Sequence, residues 1–190
     1  MTQVRLPILF VPGTLCTEAI FATQIASLQA QGAQVHHLSI RAEDSIEQMA
    51  DNAIKLMGTQ PMAIVGFSMG GIVAMAIARK APELVGRLAL INTNYFADAP
   101  ERVAPRREHI AQARAGRLLA LLESEFLGNY FYRATSANRS LILRMAAELG
   151  KDAFIAQVMA LEGPRFFQEG EVAQALLSLE GGHLTADDLQ

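Results

Sequence analysis

The chain has 190 residues, of which 51% are hydrophobic and 18% charged, and its formal net charge is −3. That length gives one domain with its own core, and that composition is too apolar for an intrinsically disordered chain. There is no long basic run to bind nucleic acid, no apolar stretch approaches the ~20 residues of a membrane span, and the single cysteine, Cys16, excludes an intramolecular disulfide.

The N-terminal Met-Thr-Gln-Val-Arg leads directly into an apolar run without signal-peptide organisation, which predicts a cytoplasmic protein. That run, 6–11, reads as a buried parallel strand with Pro7 at its start, and it ends in Pro12-Gly13-Thr14-Leu15-Cys16. Residues 17–31 carry Ile20, Phe21, Ile25 and Leu28 at helical spacing, with Gly32 as the stop. A second strand is expected over 34–40, with His36 and His37 in or beside it. Adjacent strand residues face opposite ways, so this pair does not chelate one metal, and both are expected to be structural or solvated. Asp44 or Ser45 caps a helix that runs to Met57, with Ile46, Met49, Ala53, Ile54 and Met57 on one face. Gly58-Thr59-Gln60-Pro61 ends it.

An apolar run over 62–65 then meets Gly66-Phe67-Ser68-Met69-Gly70, and a helical pattern follows through Ile72, Val73, Met75, Ala76 and Ile77. Strand, sharp turn and helix with a serine at the apex make the G-x-S-x-G nucleophile elbow. Gly66 and Gly70 lack Cβ atoms, so strand and helix can approach closely around the turn. Ser68 Oγ stands clear of the backbone, and the Met69 N–H, at the helix N-terminus, points to where an oxyanion forms. On these residues the chain resembles a serine hydrolase of the α/β-hydrolase superfamily over about 6–160.

Further along, Ala81-Pro82-Glu83 closes the elbow helix, and 84–93 reads as the next strand. Alternating strands and helices with short loops predict a parallel sheet with right-handed crossovers, and a site at the carboxyl ends of its strands. The loop 92–100 opens onto that end. An amphipathic helix is expected over 101–122, and further helices over 126–132, 136–149 and 152–161.

The resemblance implies an α/β-hydrolase-like fold: a short, mostly parallel sheet of four or five strands flanked by helices, one domain over 1–190 with a helical cap-like insertion over 99–162. It implies a backbone oxyanion donor in the loop after the first strand. Pro12 stands where the family usually has His, and the donor falls on the Thr14 N–H, with Leu15 as second choice. Leu15, Phe67, Tyr95 and Phe96 are the candidate substrate-binding residues. Phe126, Tyr130, Phe131 and Tyr132 either line an acyl pocket or bury the cap on the core.

Complete members return from the cap to two more strands, one ending in the triad acid and the next in a Gly-rich loop with the catalytic His. Here 172–179 suits a strand or a helix equally, and Glu180-Gly181-Gly182-His183-Leu184 resembles the histidine loop in compressed form, as if the C-terminus were shortened. His183 is the candidate base. His109, in a charged helix beside Arg106 and Arg107, is the alternative in a poorer setting. Asp98 is the first choice of acid; it also suits an N-cap before Pro100. Asp187 and Asp188 lie too close in sequence to His183.

The activity implied is hydrolysis of a small-molecule carboxylic ester by Ser68, His183 and Asp98, with Met69 and Thr14 as oxyanion donors. A lactonase, thioesterase or cofactor-free haloperoxidase shares the elbow and stays open, as does a non-catalytic relative that binds an acyl ligand. No metal or organic cofactor is expected: no Cys/His/Asp set has ligand spacing, and no Gly-Lys-Ser/Thr follows the elbow. The strand at 88–91 has no proline or inward charge to blunt it as a sheet edge, which predicts a homodimer.

Overall fold

Three mainly apolar runs form β1 (Ile8–Val11), β3 (Met62–Phe67) and β4 (Val85–Ile91), and the short Val35-His36-His37 forms β2 (Val35–His37). The computed structural model describes residues 6–95, 100–131, 133 and 135–162. The strands pair in parallel in the order β2-β1-β3-β4. Val11 lies against Gly66 and Phe67 against Ile91, so the carboxyl ends of β1, β3 and β4 share one rim.

Parallel neighbours need crossover connections, and α1 (Ala22–Ala30), α2 (Ile46–Met57) and α3 (Met69–Lys80) supply them. The core sits between sheet and helices: Leu9, Val11 and Ile64 pack with Met49 and Ala53 of α2 and with Val73 and Ile77 of α3. α3 is buried continuously from Met69 to Ala78, as expected of a helix that is apolar on every side. α2 is one-sided, burying Ile46, Met49, Ala50, Ala53 and Met57. Of its two candidate caps, Ser45 does the work: its Oγ accepts the Gln48 N–H at 3.3 Å. Gly58, at φ 63°, ends the helix.

Several expected elements are shorter than their sequence pattern, and two of them differ most. The second strand covers Val35–His37 rather than 34–40, although Leu38 and Ile40 stay buried beyond its end. The helix expected over 17–31 begins as a tight turn, Glu18–Phe21, which buries Phe21, and α1 itself buries no residue fully.

A helical layer follows β4: α4 (Val103–Arg114), α5 (Leu118–Leu121), α6 (Leu127–Tyr130) and α7 (Ser136–Ala160). The single helix expected over 101–122 is broken. Gly116 takes φ 78°, and the Arg117 N–H returns to Gln112 O at 3.0 Å, which terminates α4 with a left-handed glycine. A π-helical turn, Leu122–Phe126, joins α5 to α6. Gly150 (φ 79°, ψ 178°) divides α7 into the two helices that the sequence predicts. This layer has its own core, in which Ile110, Ala113, Leu118, Leu121, Ala146, Phe154 and Val158 surround Leu15 from the loop after β1. Among the described residues, no helix is long and apolar enough to cross a membrane.

Candidate active site

Ser68 lies between β3 and α3 at φ 53°, ψ −120°. A non-glycine residue in that region stores roughly 1–3 kcal/mol and persists only where its surroundings hold it. Here three bonds do so. The Ser68 N–H donates to Ile91 O at 2.9 Å, and Ser68 O accepts both the Gly71 N–H at 2.9 Å and Thr93 Oγ1–H at 2.7 Å. Close packing does the rest. A Cβ on Gly66 would lie 2.6 Å from Gly70 O and 2.7 Å from Gly71 Cα, and one on Gly70 would run into Val11 O. Only glycines let the start of α3 abut the ends of β1 and β3.

The loop after β1 comes close to the serine: a Cβ on Gly13 would stand 3.1 Å from Ser68 Cβ. Cys16 N–H closes this loop onto Gly13 O at 3.1 Å. Leu15 takes φ 54° and gives its N–H to Gln157 Oε1 at 2.8 Å. Gln157 is completely buried, and its Nε2 donates in turn to Ile40 O at 3.0 Å. Of the two loop N–H groups left open by the sequence, that of Leu15 is therefore engaged. Thr14 turns its hydroxyl to Met69 Sδ at 3.6 Å, which sets the two candidate oxyanion residues side by side. Burial pushes the Cys16 thiol up to about 12, so this neighbour is no nucleophile at neutral pH.

Ser68 opens into a cavity of about 400 Å³. Leu15 and Phe67 line it near the serine, and Phe126, Tyr130 and Phe131 line the helical side. The non-glycine residues with positive φ among the described residues are Leu15, Ser68 and Asn92, and all of them line this cavity. Tyr95 is 38% exposed and stands outside the lining. His183, Asp98, Phe96, Tyr132 and the segment 172–179 lie outside the described residues.

His109 lies in the cavity wall, although its sequence neighbours are charged. Its Nε2 is 2.9 Å from Glu125 Oε2, and its ring meets Phe126 edge-on with centroids 5.0 Å apart. Among the described residues, no side chain comes within hydrogen-bond distance of Ser68 Oγ. No set of three or more His, Cys, Asp or Glu side chains among them is arranged to hold a metal ion.

Sequence reasoning missed Thr93, Gln157, Arg102 and Arg106. Gln157 had one available signal, a lone amide among Ala153, Phe154, Val158 and Ala160 on the buried side of α7. Thr93 had another, its place just beyond the carboxyl end of β4.

A family model described as "alpha/beta hydrolase fold" matches residues 7–148. No curated protein matches the chain. Among solved structures, a carboxylesterase of the ammonia-oxidizing thaumarchaeon Nitrososphaera gargenis is similar at TM-score 0.77 and 18% identity, over 93% of this chain and 70% of that one. A thermophilic esterase from Thermogutta terrifontis is similar at TM-score 0.69 and 25% identity, over 84% and 65%. An enol-lactonase from Burkholderia xenovorans is similar at TM-score 0.68 and 19% identity, over 87% and 68%. The chain thus spans about two thirds of the length of these neighbours.

Proposed function

We propose, from the premise that this chain belongs to the alpha/beta hydrolase fold family, that it hydrolyses carboxylic esters with Ser68 as the nucleophile. The observation that carries the reading is the clustering of backbone strain: Leu15, Ser68 and Asn92 all hold positive φ around one cavity. Strain of this kind survives where it shapes a reacting site. Similarity to the Thermogutta esterase supports an ester as the bond attacked.

In this mechanism Ser68 Oγ adds to the ester carbonyl carbon while an imidazole takes its proton. His183 is the proposed base, with Asp98 as the carboxylate that orients it. The N–H groups of Met69 and Thr14 receive the oxyanion of the tetrahedral intermediate, and losing one such donor typically costs ~3 kcal/mol. Collapse breaks the bond to the alcohol oxygen, which leaves with the proton held by the imidazole. Water then attacks the acyl-serine, again deprotonated by the imidazole, and releases the acid. Residues 99–162 act as a cap over the cavity, within one domain spanning 1–190.

A fluorophosphonate probe and para-nitrophenyl esters of short and medium acids test the reading. We expect labelling at Ser68, and turnover that Ser68→Ala abolishes. No turnover above that variant rejects the enzyme. The proposed assembly is a homodimer along β4, which pairs only with β3 among the described residues and leaves Ile91 45% exposed. A monomer mass by light scattering at micromolar concentration rejects it.

A further inference from the structure

His109 of α4 stands in the wall of the cavity that Ser68 opens into, and hydrolysis by Ser68 with His183 as base makes no use of it. Its side chain is 18% exposed, so neighbours cover most of the ring. Two of them come from a single turn. Nε2 lies 2.9 Å from Glu125 Oε2, and Phe126 meets the ring edge-on. Both belong to the π-helical turn Leu122–Phe126. Such turns are rare and are found frequently at functional sites. Phe126 lines the cavity with His109, whereas Glu125 stands outside the lining.

The contact to Glu125 decides what the ring offers. A carboxylate accepts, so in the neutral imidazole it holds the proton on Nε2 and leaves the lone pair on Nδ1. No described residue hydrogen-bonds Nδ1. That atom is not sealed off either: among the described residues, the buried side-chain nitrogen without a partner is His36 Nε2. His109 thus presents an open acceptor on a ring whose orientation is fixed. Leu122, Phe126 and Phe154 surround the same space. In apolar surroundings such an acceptor favours an O–H or N–H donor, and a group that cannot donate leaves it unpaired.

We propose that His109 sets substrate choice: its Nδ1 accepts a hydrogen bond from a hydroxyl on the acyl part, so that the preferred substrate is a hydroxyacyl ester. The acyl part is the half concerned, because His109 shares the cavity's helical side with Phe126, Tyr130 and Phe131. The inference rests on the reading of Ser68 as nucleophile.

The test compares para-nitrophenyl 6-hydroxyhexanoate with para-nitrophenyl 6-methoxyhexanoate, whose oxygen accepts but cannot donate. The corresponding pair of ω-substituted octanoates is run beside it, at about pH 8, where imidazoles are largely neutral. With the rate of Ser68→Ala subtracted, we expect kcat/KM to favour the hydroxy ester by about threefold or more at one of the two lengths. That is the worth of one hydrogen bond between neutral groups. An arginine in the wall would donate to either oxygen alike and give no such preference. In His109→Phe the ratio falls to one or below, and His109→Leu serves if the phenylalanine variant does not fold. No preference at either length overturns the assignment. So does a preference that the variant keeps, or loss of all turnover by a folded variant, which would place the ring in the reaction instead. If no ester turns over above Ser68→Ala, the nucleophile reading fails separately. Magnetic-resonance titration with the matching ω-hydroxy and ω-methoxy amides then decides the contact. Tighter binding of a hydroxy amide that the variant loses upholds it, and equal or absent binding overturns it.

Discussion

The sheet with α1 to α3 and the helical layer α4 to α7 contribute to the site in different ways. The sheet half offers mostly backbone: a serine held in place by main-chain bonds and glycine contacts, beside the Met69 and Thr14 N–H groups proposed as oxyanion donors. The helical layer offers side chains: Phe126, Tyr130, Phe131, Arg102, Arg106 and His109. Backbone geometry at a strand end changes little when residues change, whereas side chains on a covering layer are free to vary. In the proposed function this division separates the reaction, set by the sheet, from the choice of substrate, set by the helices. Leu15 and Gln157 are the joints between the halves, since Leu15 enters the core of the helical layer and Gln157 of α7 reaches back to the Leu15 N–H and Ile40 O of the sheet half.

The largest effect should come from the proposed base, which lies outside the described residues. His183→Ala is expected to lower kcat by several orders of magnitude, as removal of a triad member does; turnover within tenfold of wild type would remove His183 from the mechanism. Gly70→Ala comes next. Its new Cβ meets Val11 O, a backbone atom that cannot rotate away, so ~1–3 kcal/mol of stability should be lost to overpacking. The spread between the Met69 and Thr14 N–H groups should also lower kcat. Calorimetry and steady-state kinetics read the two losses, and a variant with wild-type values in both would show that the contact is not tight. Gln157→Leu tests a joint. It leaves the Leu15 N–H and Ile40 O buried without partners, each costing about 1–3 kcal/mol. We expect lower stability together with a fall in kcat at little change in KM, because the loop that carries Thr14 loosens. An unchanged kcat would make Gln157 a purely structural tie.

The sheet half was legible because its signals are local. Apolar runs, Gly58 and the Gly66-Phe67-Ser68-Met69-Gly70 turn each act within a few residues, and the elbow forms where that pattern places it. Strand ends were less legible: Leu38 and Ile40 are as apolar as any strand residue, yet they lie buried beyond the end of β2. In the helical layer the break at Gly116 is a weak local signal that a continuous amphipathic pattern overrode. Gln157 could not be read as a partner of the loop, because Leu15 and Ile40 lie 142 and 117 residues away in sequence. His109 shows the same limit. Charged sequence neighbours suggested a poor setting for a general base, and only the folding of Phe126 and Glu125 against the ring shows its surroundings in the cavity wall.

The smallest effect we predict is also the sharpest test of whether the halves act as one. Each carries a helix capped in the same way: Ser45 Oγ accepts the Gln48 N–H at 3.3 Å ahead of α2, and Thr135 Oγ1 accepts the Asn138 N–H at 3.1 Å ahead of α7. Both caps are exposed, so Ser45→Ala and Thr135→Ala remove the same local interaction, worth about 1 kcal/mol, without disturbing a core. If the two halves unfold in one cooperative step, each variant lowers the same single transition by a similar amount, because any loss in one part is felt by the whole. We expect this outcome, since Gln157 and Leu15 bury the contact between the halves completely or nearly so, at 0% and 4% exposure. If the helical layer opens on its own, Thr135→Ala instead lowers an earlier transition and leaves the main one in place, as in a protein whose units differ in stability. Calorimetric scans of the two variants beside the wild type distinguish the cases, and a second transition seen in Thr135→Ala alone would show that the covering layer can lift from an intact reaction half.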